Sequence, residues 1–344
     1  MAIIYSFLVA FFVVVLVTPV VRWIALRFKI MDSPGFRKVH RKPVPYLGGV
    51  AIFLGFFASA LMFSSDPQVM AILVGAFAVV VLGVLDDIFT LPATVKLAGQ
   101  IAIAIGTYMA GVSIGYLTHP FGGVVVLGWL ECPITVLWIV SMMNTVNLID
   151  GLDGLAAGVS AISAMVITVI ALQTGQWPAA VLSVALVGSS LAFLRYNFAP
   201  ATIFMGDAGS MFLGYVLAAT TIIGVLKSVF TISIAVPIIA LAIPIFDTAF
   251  AIVRRLRKGQ PIFSPDKEHF HHQLLAAGLS PKQAVILIYT ATFLLGLIAI
   301  GLGFFEGIAA IVFLMVTAVV MIGTVRYFRC RANRIRPLVD LISE

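Results

Sequence analysis

A chain of 344 residues that is 62% hydrophobic and 10% charged, with a mean hydropathy of +1.15, cannot be a soluble globule, because charged residues make up about a quarter of such proteins. Its unbroken apolar runs of about 17 to 25 residues also exclude a membrane barrel, whose strands alternate over about ten. A formal charge of +7 would suit nucleic acid, but the cations gather in a few loops between apolar runs, so the class is an all-α polytopic integral membrane protein.

Apolar spans are predicted near residues 2–24, 46–64, 69–86, 94–112, 132–147, 154–173, 178–195, 209–226, 229–253, 283–303 and 307–327, about eleven transmembrane helices in all. The first lacks a basic start and is too long for a signal-peptide core, so it is kept as a span. With the N-terminus outside, the Lys and Arg residues of 27–42, 254–267 and 326–336 fall on the inside and Lys227 falls outside. That asymmetry predicts an outer N-terminus and a cytoplasmic C-terminus. Cys132 and Cys330 then lie at opposite faces, and both are expected to be free. An outer segment, 113–129, has the look of a hairpin, with Gly122-Gly123 ahead of a β-branched run.

The acids sort on the same map. Asp66, Glu131 and Glu306 fall outside, whereas Asp32, Asp86, Asp87, Asp150, Asp153, Asp207, Asp247, Asp266, Glu268, Asp340 and Glu344 fall at or inside the inner face, most of them bordering a span. In the first inner loop, Arg37, Lys38 and Arg41 serve as topology determinants. His40 and Lys42, beside Pro43, Pro45 and the Gly48-Gly49 pair, are better placed to hold positive charge over an anion.

Asp86-Asp87 closes the third span, with Lys96 and Gln100 opening the fourth. A helix C-terminus already carries about half a negative charge, so two carboxylates there are misplaced unless a cation lies beside them. They read as metal ligands, or as one ligand and one base of raised pKa.

Asn144, Asn147, Asp150 and Asp153 follow at three-residue intervals in Asn-Thr-Val-Asn-Leu-Ile-Asp-Gly-Leu-Asp-Gly. A carboxylate within a membrane span costs about 2.5 to 3.5 kcal/mol on insertion scales, so this group is a site by default. Each step of three drifts by about 60° on a helix, which keeps the first three on one face. Gly151 and Gly154 supply a break that can turn Asp153 toward them. The bland alternative makes Asp153 the N-cap of the next helix.

A further stretch runs from Arg195-Tyr-Asn197 through Phe204-Met-Gly206-Asp207 to Ser210. Asp207 or Ser210 could cap the eighth span, but the asparagine, the aromatic residue and Gly-Asp together favour a site loop. The last constellation, Ser264-Pro-Asp-Lys-Glu-His269-Phe270-His271-His272, holds three of the five histidines. With no cysteine near and acids in the other loops, a hard, oxygen-bound ion fits better than zinc, and the imidazoles read as a phosphate-binding loop. An acidic inner face ringed by basic loops is what a metal ion and a phosphorylated cytosolic substrate need.

Taken in order, these motifs resemble the polyprenyl-phosphate N-acetylhexosamine-1-phosphate transferases, glycosyltransferase family 4, over nearly the whole chain. The resemblance implies transfer of a sugar 1-phosphate from a UDP-sugar to undecaprenyl phosphate at the inner leaflet of the bacterial cytoplasmic membrane, releasing UMP. It implies Mg²⁺, with Mn²⁺ as the alternative ion, and one transmembrane catalytic domain over 1–344 whose cytoplasmic loops near 25–45, 86–95, 147–154, 195–209 and 254–282 form the site.

By position, the resemblance makes Asp207 the metal-binding aspartate and Asn147 a second metal-binding residue. Asp86, Asp87, Asp150, Asp153, His269, His271 and His272 become the catalytic set, and His40, Lys42, Lys96, Asn147, Asn197 and Phe204 the substrate contacts. Implied partners are UDP-N-acetylglucosamine, undecaprenyl phosphate and the bilayer; nucleic acid is not among them, and a homodimer is left open.

The branch that transfers phospho-N-acetylmuramoyl-pentapeptide has three consecutive histidines after Pro-Leu, a run that Phe270 interrupts here. The motif looks like the branch that uses UDP-N-acetylglucosamine and starts O-antigen, enterobacterial common antigen or teichoic acid. A secondary transporter is the reading of another class, but its site would lie at the midplane between internal repeats, and none is visible.

Overall fold

The computed structural model describes residues 1–32, 43–118, 123–224, 241–257 and 270–302, with isolated positions at 238–239, 309, 312–313 and 315–316. The described chain is mostly helical: α1 (Ala2–Arg27), α2 (Gly48–Phe63), α3 (Pro67–Phe89), α4 (Ala93–Met109), α5 (Glu131–Ile149), α6 (Leu155–Gln173), α7 (Trp177–Asn197), α8 (Gly206–Gly224), α9 (Ala242–Arg257), α10 (Phe270–Ala276) and α11 (Pro281–Leu302). Nine of the predicted apolar stretches fall on helices within three residues at either end. Among the described residues, seven helices are long and apolar enough to cross a bilayer, and α2 is a shorter apolar one. The chain is a polytopic membrane protein. The 229–253 stretch is described only in its second half, as α9, and most of 307–327 lies outside the described residues, as does Cys330.

Local chemistry sets several boundaries. The Asp66 carboxylate caps α3 by accepting the Gln68 N–H at 2.8 Å, with Pro67 in the first turn, where its missing N–H costs nothing. Thr90, at φ +51°, ends the same helix, and Leu91-Pro92 turn the chain into α4. The expected hairpin is present: β3 (Tyr116–Thr118) pairs antiparallel with β4 (Val124–Val126), Tyr116 opposite Val126. A second two-stranded pair joins β1 (Met31–Asp32) to β2 (Val44–Pro45) and places Asp32 opposite Val44.

The centre of the bundle is α8, buried at every position but Asp207 and packed against α2, α3, α5, α6 and α7. Lipid is as apolar as the core, so close backbone approach and interhelical hydrogen bonds hold such helices together. Gly49 lies on the Gly209 backbone, Gly83 on Ala208 and Gly214 on the Met142 carbonyl, with no room for a side chain at any of the three. Hydroxyls join neighbours: Ser6 with Ser59 at 2.7 Å, Thr107 with Tyr215 at 2.9 Å and Thr168 with Ser183 at 2.8 Å. Large apolar side chains such as Phe12, Leu16, Trp23, Phe77 and Phe293 face outward, a surface suited to lipid. Short connections bring the ends of α3 and α5 together with the starts of α2, α4, α6 and α8.

Candidate active site

The site begins at the last turn of α3. Asp86 Oδ1 accepts the Leu91 N–H at 2.8 Å, closing the turn into α4, and its Oδ2 meets Lys96 Nζ at 2.8 Å. Lys96, one turn into α4, also meets Asp207 Oδ2 at 2.6 Å. The other Asp207 oxygen accepts from Asn147 Nδ2, which donates as well to Ser210 Oγ at 2.8 Å. Four helices thus contribute to one contact cluster, and the carboxylates of Asp86 and Asp207 lie within hydrogen-bonding reach of each other. The Asp207 side chain keeps 35% of its surface open, against 15% for Lys96 and 7% for Asp86. Asp207 is therefore the member turned to the opening.

Asp87 faces the other way. Its Oδ1 accepts the Asp207 N–H at 2.7 Å and its Oδ2 the Ala208 N–H at 3.2 Å, so a carboxylate from α3 caps the N-terminus of α8. Gly206, at φ +70°, makes this possible, because any side chain there would occupy the space of the Asp87 carboxylate. The charges of the adjacent acids are answered separately, Asp86 by Lys96 and Asp87 by the positive end of α8. With the cap supplied by Asp87, the Asp207 side chain is left to Lys96 and Asn147.

The α5–α6 turn borders this corner. Asp150 follows the last residue of α5, and Gly154, at φ +81°, precedes α6. Burial first, then the charges of Asp207, Asp87 and Asp153, push the Asp150 carboxyl up to about 8, so it holds its proton at neutral pH when no cation is near. Asp153 makes no cap to α6; its Oδ2 accepts the Ala201 N–H at 2.8 Å. Asn197, 2% exposed, accepts the Gly154 N–H at 3.1 Å and donates to the Ile203 carbonyl at 3.0 Å. Asn144 donates to Gln100 Oε1 at 2.7 Å, joining α5 to α4.

Phe204 connects the 198–205 segment to the start of α2. Its N–H donates to the Pro45 carbonyl at 2.9 Å, its carbonyl accepts the Gly48 N–H at 2.9 Å, and the next carbonyl, of Met205, accepts the Gly49 N–H at 2.9 Å. A Cβ on Gly48 would strike the Phe193 ring and the Phe204 carbonyl, which explains the glycine pair. The Tyr46 ring lies 6.2 Å from that of Phe204, and its hydroxyl bonds to the Asp32 carboxylate. Burial, with Asp32, Asp87 and Asp207 nearby, holds that hydroxyl far above its ordinary pKa. Sequence reasoning did not single out Tyr46 or Ser210 as contacts of the site. For Tyr46, the adjoining Gly48-Gly49, a demand for close backbone approach, was the available signal.

The structure therefore gathers Asp86, Asp87, Lys96, Asn147 and Asp207, with Phe204 and the Asp150–Asp153 turn at their border. His40, Lys42 and His269 lie outside the described residues, and so does the side chain of His271. His272 sits half-buried on α10, which packs against α11. Among the described residues, no three His, Cys, Asp or Glu side chains form a ready metal-binding group.

A chain that crosses the membrane repeatedly and gathers acids, a lysine and an amide at the helix ends has the makings of a phosphoryl-transfer site. The model of glycosyl transferase family 4 matches residues 69–225, which include Asp86, Lys96, Asn147 and Asp207, and the chain belongs to that family. It is 44% identical over 305 residues to the "probable undecaprenyl-phosphate N-acetylglucosaminyl 1-phosphate transferase" of Bacillus subtilis strain 168, covering 87% of this chain and 84% of the relative. It is 36% identical to the decaprenyl-phosphate N-acetylglucosaminephosphotransferase of Mycolicibacterium smegmatis, again over 87% and 84% of the two chains. A third relative, the undecaprenyl-phosphate alpha-N-acetylglucosaminyl 1-phosphate transferase of Yersinia pestis, is 30% identical over 82% of this chain and 79% of its own.

Proposed function

We propose that this protein transfers N-acetylglucosamine 1-phosphate from UDP-N-acetylglucosamine to undecaprenyl phosphate at the inner leaflet of the bacterial cytoplasmic membrane, as the first step of a cell-envelope glycan. The observation that carries this reading is the joining of Asp86, Lys96, Asn147 and Asp207 by direct contacts. The names of the relatives supply the substrate class. The N-terminus is outside and the C-terminus cytoplasmic, supported by the near-total confinement of Lys and Arg to alternate loops, Lys227 excepted. The whole chain acts as one transmembrane catalytic domain.

An oxygen of the lipid phosphate attacks the phosphorus that carries the sugar. A new P–O–P bond forms, the bond from that phosphorus to the bridging oxygen of the uridylyl phosphate breaks, and UMP leaves with the electron pair. Such a reaction needs alignment and charge neutralisation more than covalent help. Lys96 faces the diphosphate. Asn147 and Ser210 keep Asp207 oriented, and Asp87 keeps the start of α8 in place beneath it. Asp150 borders this corner with its carboxyl pushed up to about 8 by burial and the neighbouring acids.

The donor set fits Mg²⁺. Two carboxylates, Asp86 and Asp207, share the one ammonium of Lys96, while Asp87 is taken up by the start of α8, and Mg²⁺ is typically held by one or two carboxylates together with substrate phosphates. Asp207 and Asp86 would hold the ion, which when bound neutralises charge developing on the phosphates. The test is UMP release by the purified protein with undecaprenyl phosphate and alternative nucleotide sugars. UDP-N-acetylglucosamine is expected to be used at least about tenfold better than UDP-N-acetylmuramoyl-pentapeptide, about 1.4 kcal/mol in the transition state. Equal kcat/KM for the two would overturn the choice of sugar, and no UMP release with either would overturn the reaction.

A further inference from the structure

Lys96 has to reach carboxylates on two other helices, yet α4, which carries it, has a narrow hold on the bundle. Over its 17 residues α4 buries three, Gln100, Ala104 and Thr107. With Lys96 they form one stripe, in steps of four, four and three, and the rest of the helix is open or half-open. Lipid gives no apolar drive to turn one face of such a helix inward, so polar contacts along the stripe decide its rotation. The helix packs against α3 and α5 and reaches α8 through the side chains of Lys96, Gln100 and Thr107. Thr107 lies three turns away from Lys96. Gln100 lies one turn away and is fully buried.

Gln100 Nε2 donates to Met211 Sδ of α8 at 3.1 Å, and Gln100 Oε1 accepts from Asn144 Nδ2 of α5 at 2.7 Å. These partners repeat the acidic corner one turn deeper. Because α4 and α8 begin at the corner and α5 ends there, Gln100 lies below Lys96, Met211 below Asp207 and Asn144 below Asn147. The same three helices are joined in both layers. A thioether is a weak acceptor, and Asn144 also donates to the Val140 carbonyl of its own helix at 2.8 Å, so the lower layer is a poor reason to bury an amide for stability alone. What it fixes is the register of α4 against α5 and α8.

We propose that Gln100 is a positioning residue for the transfer reaction: by bridging Met211 and Asn144 it sets the rotation of α4 that lets Lys96 meet Asp86 and Asp207 together. The inference rests on the transferase reading and adds the residue through which α5 and α8 orient the ammonium. Gln100→Leu removes both bonds and keeps an apolar side chain of similar bulk. Asn144 retains the Val140 carbonyl and Met211 needs no donor, so the substitution orphans no buried group and the fold is kept. Lys96 then lacks the contact that holds it over the two carboxylates.

The kcat/KM for UMP release is measured for the parent, Gln100→Leu, Lys96→Met and the double variant. In parallel, the rate at which an amine-reactive acetylating ester modifies Lys96 is followed by mass spectrometry on the parent and Gln100→Leu, with Lys282, exposed at the start of α11, as reference. Gln100→Leu is expected to lower kcat/KM about tenfold while thermal unfolding in detergent moves by only a few degrees. The double variant should stay within about threefold of Lys96→Met, because a residue that acts through Lys96 has nothing left to act on. Acetylation of Lys96 should rise about fivefold or more as the ammonium leaves its carboxylates, with Lys282 within about twofold of the parent. A double variant about tenfold below Lys96→Met, acetylation of Lys96 at the parental rate, or acetylation raised equally at Lys282 would each overturn the inference. Gln100→Met replaces Gln100→Leu if the latter is not recovered folded. A parent that releases no UMP contradicts the transferase reading alone, since acetylation of Lys96 still decides the role of Gln100.

Discussion

The acidic corner and the α5–α6 turn draw on the same residue types and lie side by side, but they use them differently. In the corner, side chains meet side chains: Asp86 and Asp207 share Lys96, and Asn147 holds Asp207. In the turn, side chains meet the main chain: Asp153 takes the Ala201 N–H, and Asn197 spans Gly154 and Ile203. A carboxylate held by an ammonium can exchange that partner for an incoming cation or a phosphate counter-charge. A side chain that satisfies buried main-chain groups cannot leave without orphaning them. Asp87 belongs to the corner by charge and to the second kind by bonding, since both its oxygens serve the start of α8.

Replacing one residue from each region breaks this comparison most directly, and the largest effect belongs to Lys96. Lys96→Met keeps the length of the side chain and removes the charge shared by Asp86 and Asp207. UMP release should fall by about a hundredfold or more, the scale seen when one charge-stabilising group is lost, with thermal unfolding in detergent moving by only a few degrees. Turnover within tenfold of the parent would mean that the corner is a structural ion pair.

Asn197→Ala should show the opposite balance. It leaves the Gly154 N–H and the Ile203 carbonyl without their partner in a buried setting, a loss of about 2 kcal/mol or more. A lower unfolding temperature is expected, while kcat/KM, measured well below that temperature, falls by less than about tenfold. Unchanged unfolding with turnover abolished would place Asn197 among the corner residues and erase the distinction.

Much of this was legible in the sequence, for a physical reason. Charged and amide groups are costly beside apolar spans, so Asp86, Asp87, Asn147, Asp150 and Asp207 stand out by type and place, and helix boundaries follow from the length a bilayer demands. Partners are harder to read. That Asp87 caps α8 requires knowing that Gly206 and the end of α3 meet, a contact between residues 120 apart in sequence. The same limit hid the choice of Asp153 for Ala201 over the start of α6. The Asp32–Tyr46 bond depends on two-residue strands, too short to leave a pattern of alternation.

The most direct test is Asp207→Asn. The bonds that cap α8 come from Asp87 to the main-chain N–H groups of residues 207 and 208, which the substitution leaves in place, and an asparagine keeps the shape of the side chain. The variant is therefore expected to unfold like the parent. Its negative charge, shared with Lys96 and facing the opening, is gone, and UMP release at saturating Mg²⁺ should fall by at least about a hundredfold. Near-parental turnover with parental unfolding would contradict the central place given to Asp207 and return the corner to a purely structural role.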